Sequence, residues 1–165
     1  MAIYYRGGNT NNSDTGRIIQ VKIGTRSTVF STTSSSYQDV VSEGITMHDS
    51  GNKILIYSTL HTAGTDNNAQ RLIRGSTVIF CGTGVSSRAA GFGGSMYDGH
   101  MGDTAQQNNG GVFLDSPNTT SAITYKLQVA ASGGGTVYCG RDVTDNNNGQ
   151  HTRNMQTLVL MEVAQ

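Results

Sequence analysis

The sequence predicts an all-β fold, an antiparallel β-sandwich of the jelly-roll type with an extended N-terminal arm. Three observations carry that expectation. Apolar residues recur at every second position in many short runs, which is the period of a strand with one dry face. No run places apolar residues at i, i+3, i+4 and i+7, so the helical period is missing. Hydrophobic residues make up only 35% of the chain and charged residues 13%; Gly, Ser, Thr and Asn fill the gap and favour turns and polar strand faces over helix interiors.

Residues 1–16 form the expected arm, rich in Gly and Asn over 5–15, and residues 17–165 form one domain long enough to bury a core without staples. A first strand is expected at 17–24, with Ile19, Val21 and Ile23 on one face. Shorter strands follow at 28–31, 37–41 and 45–47. Residues 53–60 offer Ile54 and Ile56 on one side and Leu55 and Tyr57 on the other. Strands at 69–74 and 77–81 flank Arg74-Gly75-Ser76-Thr77, which reads as a tight hairpin turn. Residues 85–109 are Gly-rich with few apolar side chains, the pattern of a long surface loop or an irregular strand.

Residues 111–115 are short and apolar, ending at the turn Asp115-Ser116-Pro117-Asn118. The clearest alternation is 123–129, with Ile123, Tyr125, Leu127 and Val129 opposite Thr124, Lys126 and Gln128. Ser132-Gly133-Gly134-Gly135 links it to a strand at 136–141, a polar loop covers 142–152, and a last strand covers 155–163. That last strand sets Val159 and Met161 against Leu158 and Leu160, and Val112-Phe113-Leu114 is apolar throughout. Strands apolar on both faces leave one face wet in an isolated sandwich. Either a loop covers that face or a neighbouring subunit does, and the second alternative predicts an oligomer.

Composition excludes several classes. Net charge is zero and no basic run is present, against nucleic-acid binding. No apolar segment is long enough to span a bilayer, so no membrane contact is expected. The start Met1-Ala2-Ile3-Tyr4-Tyr5-Arg6 lacks the apolar stretch of a signal peptide, which predicts a protein made in the cytoplasm that stays there or leaves inside a particle. Cys81 and Cys139 have no zinc spacing and read as small hydrophobes, pairing only if their strands lie together.

The parts of an enzyme are not legible. His48, His61, His100 and His151 form no metal-binding spacing. Gly94-Ser95-Met96-Tyr97 lacks the closing glycine of a nucleophile elbow, and Asp98 and His100 in the same loop do not make a triad. Asp39, Glu43 and Asp49 are candidate acids, but nothing brings them face to face. Trp is absent, so the strongest stacking surface for sugars is missing. Asp145-Asn146-Asn147-Asn148-Gly149 fails as a calcium loop because Gln150 stands at the glycine position; a looser site from Asp142 and Asp145 stays open. The glycine pairs at 82–84 and 91–94 lack the phosphate-binding pattern. Arg71, Arg74, Arg88, Arg141 and Arg153 read as separate surface or interface arginines. No catalytic, cofactor-binding or metal residue is expected, and no cofactor.

The order of several segments resembles phage virion and tail-fibre-like proteins of marine and cyanobacterial phages. These segments are Ile18-Ile19-Gln20-Val21, Phe30-Ser31-Thr32-Thr33-Ser34, Gly51-Asn52-Lys53-Ile54-Leu55-Ile56, Arg71-Leu72-Ile73-Arg74-Gly75-Ser76-Thr77, Phe113-Leu114-Asp115-Ser116-Pro117, Thr119-Thr120-Ser121, Thr124-Tyr125-Lys126-Leu127-Gln128 and Thr157-Leu158-Val159-Leu160-Met161-Glu162-Val163-Ala164. The resemblance covers residues 17–164. It implies a jelly roll similar to the C1q/TNF type, a homotrimer and no catalysis. Only the arm precedes the domain, which favours a trimeric capsid decoration or cement protein that stabilises the shell; the alternative is a tail-fibre or head-fibre tip that binds a receptor. The expected partners are other virion proteins (the major capsid protein, or fibre and tail subunits), with a host-surface glycan or receptor as a further candidate. The expected location is the virion, on the capsid surface or the tail.

Overall fold

The structure, a computed structural model, describes residues 15–94 and 104–165. Most of the expected arm, together with Ser95, Met96, Tyr97, Asp98 and His100, lies outside the described residues. The described chain is all β, with ten strands in two antiparallel sheets that face each other.

The larger sheet, sheet A, runs β1 (Ile18–Arg26), β10 (Gln156–Val163), β4 (Lys53–Gly64), β9 (Val137–Cys139) and β2 (Phe30–Thr32), and β7 (Gln107–Asp115) also pairs with β4. The smaller, sheet B, runs β3 (Gln38–Ile45), β8 (Ile123–Ala131), β5 (Asn68–Arg74) and β6 (Thr77–Phe80). The expected strand at 37–41 runs on to Ile45 as one element, β3, and the rest of the expected strand at 45–47 is not strand. A register shift between Asp39 and Val41 buries both Val40 and Val41, where strict alternation would bury one. The expected strand at 136–141 is shorter than the pattern suggested. Gly140 turns the chain out at φ +81, and a Cβ there would meet Asn154 O at 2.9 Å. The hairpin at Gly75 forms as expected, with that glycine at φ +58. Part of the expected loop at 85–109 is strand, because β7 begins at Gln107.

The core follows from period-two alternation. Ile54, Ile56, Leu60, Leu158 and Leu160 of sheet A meet Leu72, Tyr125, Leu127, Val129 and Ile45 of sheet B, all buried. Phe80 stacks on Phe92 at 5.0 Å and on Phe113 at 5.3 Å, closing the side where β6 faces β7.

Two polar clasps tie the layers together. Arg74 of β5 donates to both carboxylate oxygens of Asp115 at 2.9 and 2.8 Å, and the buried Tyr125 hydroxyl donates to the same carboxylate at 2.7 Å. Arg74 is therefore a bridge between sheets, a correction to its reading as a surface arginine. Burial together with the Asp115 carboxylate pushes the Tyr125 hydroxyl far above its ordinary range. At the other clasp, Glu162 is fully buried at the end of β10. It accepts from Asn52 Nδ2 (2.6 Å), Gln20 Nε2 (2.6 Å) and the His48 N–H (2.9 Å), and His48 Nδ1 lies 2.9 Å away. Burial opposes ionisation here, but these donors outweigh it and hold the carboxyl at about 2.

Candidate assembly surface

The outward positions of sheet A fall into register across four strands. Val21 of β1 sits opposite Met161 of β10, Met161 opposite Leu55 of β4, and Leu55 opposite Leu114 of β7. One step along, Ile23, Val159, Tyr57 and Val112 form a second row of the same kind. Eight apolar side chains thus tile one continuous face, with Ile18 and Val163 extending it at one end. Beyond the second row the chemistry changes to Thr25, Thr157, Thr59 and Gly110, which bounds the patch.

These residues are not core residues that happen to be near the surface. Their sequence neighbours fill the interior, while Ile23 stays 58% and Val112 53% exposed. The side chains of the flanking strands β1 and β7 are the more exposed; Leu55, Val159 and Met161 on the middle strands are half-buried by their neighbours. With strands about 4.8 Å apart, the apolar rows run about 14 Å from the first strand to the fourth. Contiguous exposed apolar side chains of this kind make the outer face of sheet A the candidate interaction surface.

Sheet B presents a different outer face. Lys126 Nζ reaches Asp39 at 2.7 Å, Arg71 Nε donates to Gln128 at 2.7 Å, and the Arg71 guanidinium lies 3.9 Å from the centre of the Tyr37 ring. Partial burial opposes ionisation of Asp39, but hydrogen bonds from Lys126 and Gln128 outweigh it and hold the carboxyl below its ordinary range.

The candidate catalytic groups do not converge. Asp39 lies on the outer face of sheet B, whereas Glu43 pairs in register with the buried Tyr125 and so points to the inner side. Asp49 receives the Gly51 N–H at 2.8 Å in the turn before β4. His48 belongs to the Glu162 clasp, and the Nδ1 of His61 is buried without a partner. His151 Nδ1 meets Asp142 at 2.9 Å, and Thr144 Oγ1 approaches the same nitrogen at 3.4 Å. A relay from hydroxyl to acid needs the two ring nitrogens to face different groups, so this trio is not a triad. Asp145 is engaged by Arg153 and Arg141, which places two guanidinium groups where a calcium ion would have to sit. No group of three or more His, Cys, Asp or Glu suited to a metal occurs among the described residues. Cys81 and Cys139 are both free thiols, and burial pushes the Cys139 thiol up to about 12. No helix among the described residues is long and apolar enough to cross a membrane.

The sequence matches no protein-family model, and no curated protein matches it. The assembly reading therefore rests on geometry. Two-faced strands were legible at β4, β7 and β10, but the contribution of β1 was not. Ile19, Val21 and Ile23 share a face in the pattern, and only the sheet shows that Val21 and Ile23 lie outside, with Gln20, Lys22 and Gly24 turned toward sheet B.

Proposed function

We propose that the chain is a non-enzymatic structural protein of a bacteriophage virion, assembling as a homotrimer that decorates or cements the capsid. The observation that carries the assembly step is the eight-residue apolar face of sheet A in register across four strands. Covering these side chains removes apolar surface from water, which drives association against the loss of translational and rotational freedom and the ordering of the contact.

The pairing order supports the jelly-roll reading. Setting aside the short β2 and β9, the outermost strands in sequence, β1 and β10, are neighbours. So are β3 and β8, β4 and β7, and β5 and β6. A hairpin of strand pairs wrapped into two four-stranded layers produces this order. The resemblance to phage virion proteins supplies the particle. The first test is sedimentation equilibrium of the purified full chain at micromolar concentration. A trimer is expected, and a monomer over the whole range overturns the assembly reading. For the cement role, particles lacking the protein are expected to release DNA at a lower temperature than complete ones; equal heat resistance overturns it.

A further inference from the structure

The connection between β9 and β10 closes on itself. Asn154 N–H donates to Gly140 O at 2.9 Å, so residues 141–153 form a loop whose ends touch. Its interior is braced by charge. Asp142, 1% exposed, accepts the Asp145 N–H at 2.6 Å and faces His151 Nδ1 at 2.9 Å, with the His151 side chain 6% exposed. Asp145 receives Arg153 at 3.0 and 2.7 Å and lies 3.7 Å from Arg141, whose guanidinium sits 4.0 Å from the centre of the Tyr138 ring. Gln106 anchors the foot by donating to Thr152 O at 2.8 Å and accepting from Asn154 Nδ2 at 3.0 Å.

A mere link between two strands needs far less. What the bracing holds is a depression lined by Asp145, Asn146, Asn147, Asn148, His151 and Arg153. Asp142 occupies Nδ1, so Nε2 is the ring nitrogen left for another partner. Asn146 and Asn147 are exposed, and each carboxamide offers donors and an acceptor together. The charges balance, Asp142 and Asp145 against Arg141 and Arg153. A lining of mixed donors and acceptors, whose carboxylate and guanidinium already pair with each other, suits adjacent hydroxyl groups better than phosphate or a cation.

We propose that this depression is a binding site for a neutral saccharide, with His151 Nε2 hydrogen-bonded to a hydroxyl and the Asn146 and Asn147 carboxamides each bonding sugar oxygens. The site lies at the end of sheet A beyond the threonine row, so assembly through the apolar face leaves it open. It does not rest on the assembly reading, because every residue it uses comes from one chain.

The test is an NMR titration of the isotope-labelled full chain with glucose, galactose, mannose and N-acetylglucosamine and their disaccharides, and with inorganic phosphate in parallel. At least one sugar is expected to give saturable shifts confined to the amides of 142–153, with phosphate giving none. The exposed double variant Asn146→Ala/Asn147→Ala is expected to weaken that binding about tenfold, as loss of two hydrogen bonds implies, without moving the thermal midpoint. The proposal is overturned if no sugar shifts the loop, if the double variant binds as tightly, or if phosphate saturates the same amides.

Discussion

The two outer faces of the sandwich are made by strands of the same period and present opposite chemistry. Across β1, β10, β4 and β7, sheet A shows two apolar rows with no charged residue in either. Across β3, β8 and β5, sheet B shows Asp39, Lys126, Gln128 and Arg71 joined side to side by hydrogen bonds. The inner faces of both supply the apolar core, with a few buried polar residues such as Gln70, Gln156 and Glu162 among it. A sandwich needs only those inner faces to fold, and an antiparallel sheet can leave its other face to water. Sheet B does this. The apolar rows on the outer face of sheet A are not required by the fold, and on the proposed assembly their chemistry is set by a partner subunit.

The largest effect comes from charging the middle of that face. Val159 lies on β10, flanked by Ile23 and Tyr57, with its side chain outward. Val159→Lys is expected to weaken self-association at least about 100-fold, or about 3 kcal/mol, because a lysine at the centre of a dry contact must be desolvated. The monomer's far-UV circular dichroism is expected to stay unchanged. Sedimentation velocity over a concentration series reads the first quantity. A variant that assembles as well as the native chain would remove the distinction between the faces.

The next effect separates face chemistry from the integrity of the sandwich. Asp115 ends β7 and bonds Arg74 and Tyr125 of sheet B. Asp115→Ala leaves the buried Tyr125 hydroxyl without its acceptor and the guanidinium without its partner, at a cost of about 3 kcal/mol. For a chain of this length that lowers the thermal midpoint by roughly 6–12 °C. Neither outer face changes, so the variant is expected to keep its assembly state at low temperature, as sedimentation at 10 °C would show.

The comparison also explains what the sequence could and could not disclose. Alternation is a local property, and it placed nearly every strand and identified both apolar faces of β4 and β10 correctly. Which face of β1 points inward is not local. Val21 and Ile23 look like core, and Gln20 and Lys22 look like surface, until pairing with β10 fixes the opposite orientation. Glu162 was equally hidden, because a carboxylate in an apolar strand is interpretable only once Asn52, Gln20 and His48, all distant in sequence, are brought to it.

The buried carboxylate of Glu162 on β10 adds a contrast by pH. Glu162 has a folded pKa of about 2 against an ordinary 4.5. A depressed folded pKa contributes stability that is fully present above the unfolded value and is lost as pH falls through the folded one. The window is therefore pH 4.5 down to 2, and the contribution about 2–3 kcal/mol. Urea midpoints from pH 6 to pH 2.5, at fixed protein concentration, are expected to fall for the native chain and to fall much less for Glu162→Gln.

The smallest effect belongs to the face that meets water. Asp39 and Lys126 bond at 2.7 Å, but their side chains are 45% and 32% exposed, so solvent screens the pair. Lys126→Ala is expected to cost no more than about 1 kcal/mol, to leave assembly intact, and to lose even that difference at high salt. A double-mutant cycle with Asp39→Ala isolates the pair from other effects of each substitution. A coupling of several kcal/mol, insensitive to salt, would mean that this pair is shielded in the assembled protein. Sheet B would then be a second contact surface, and the opposition between a covered face and a wet one would fail from the polar side.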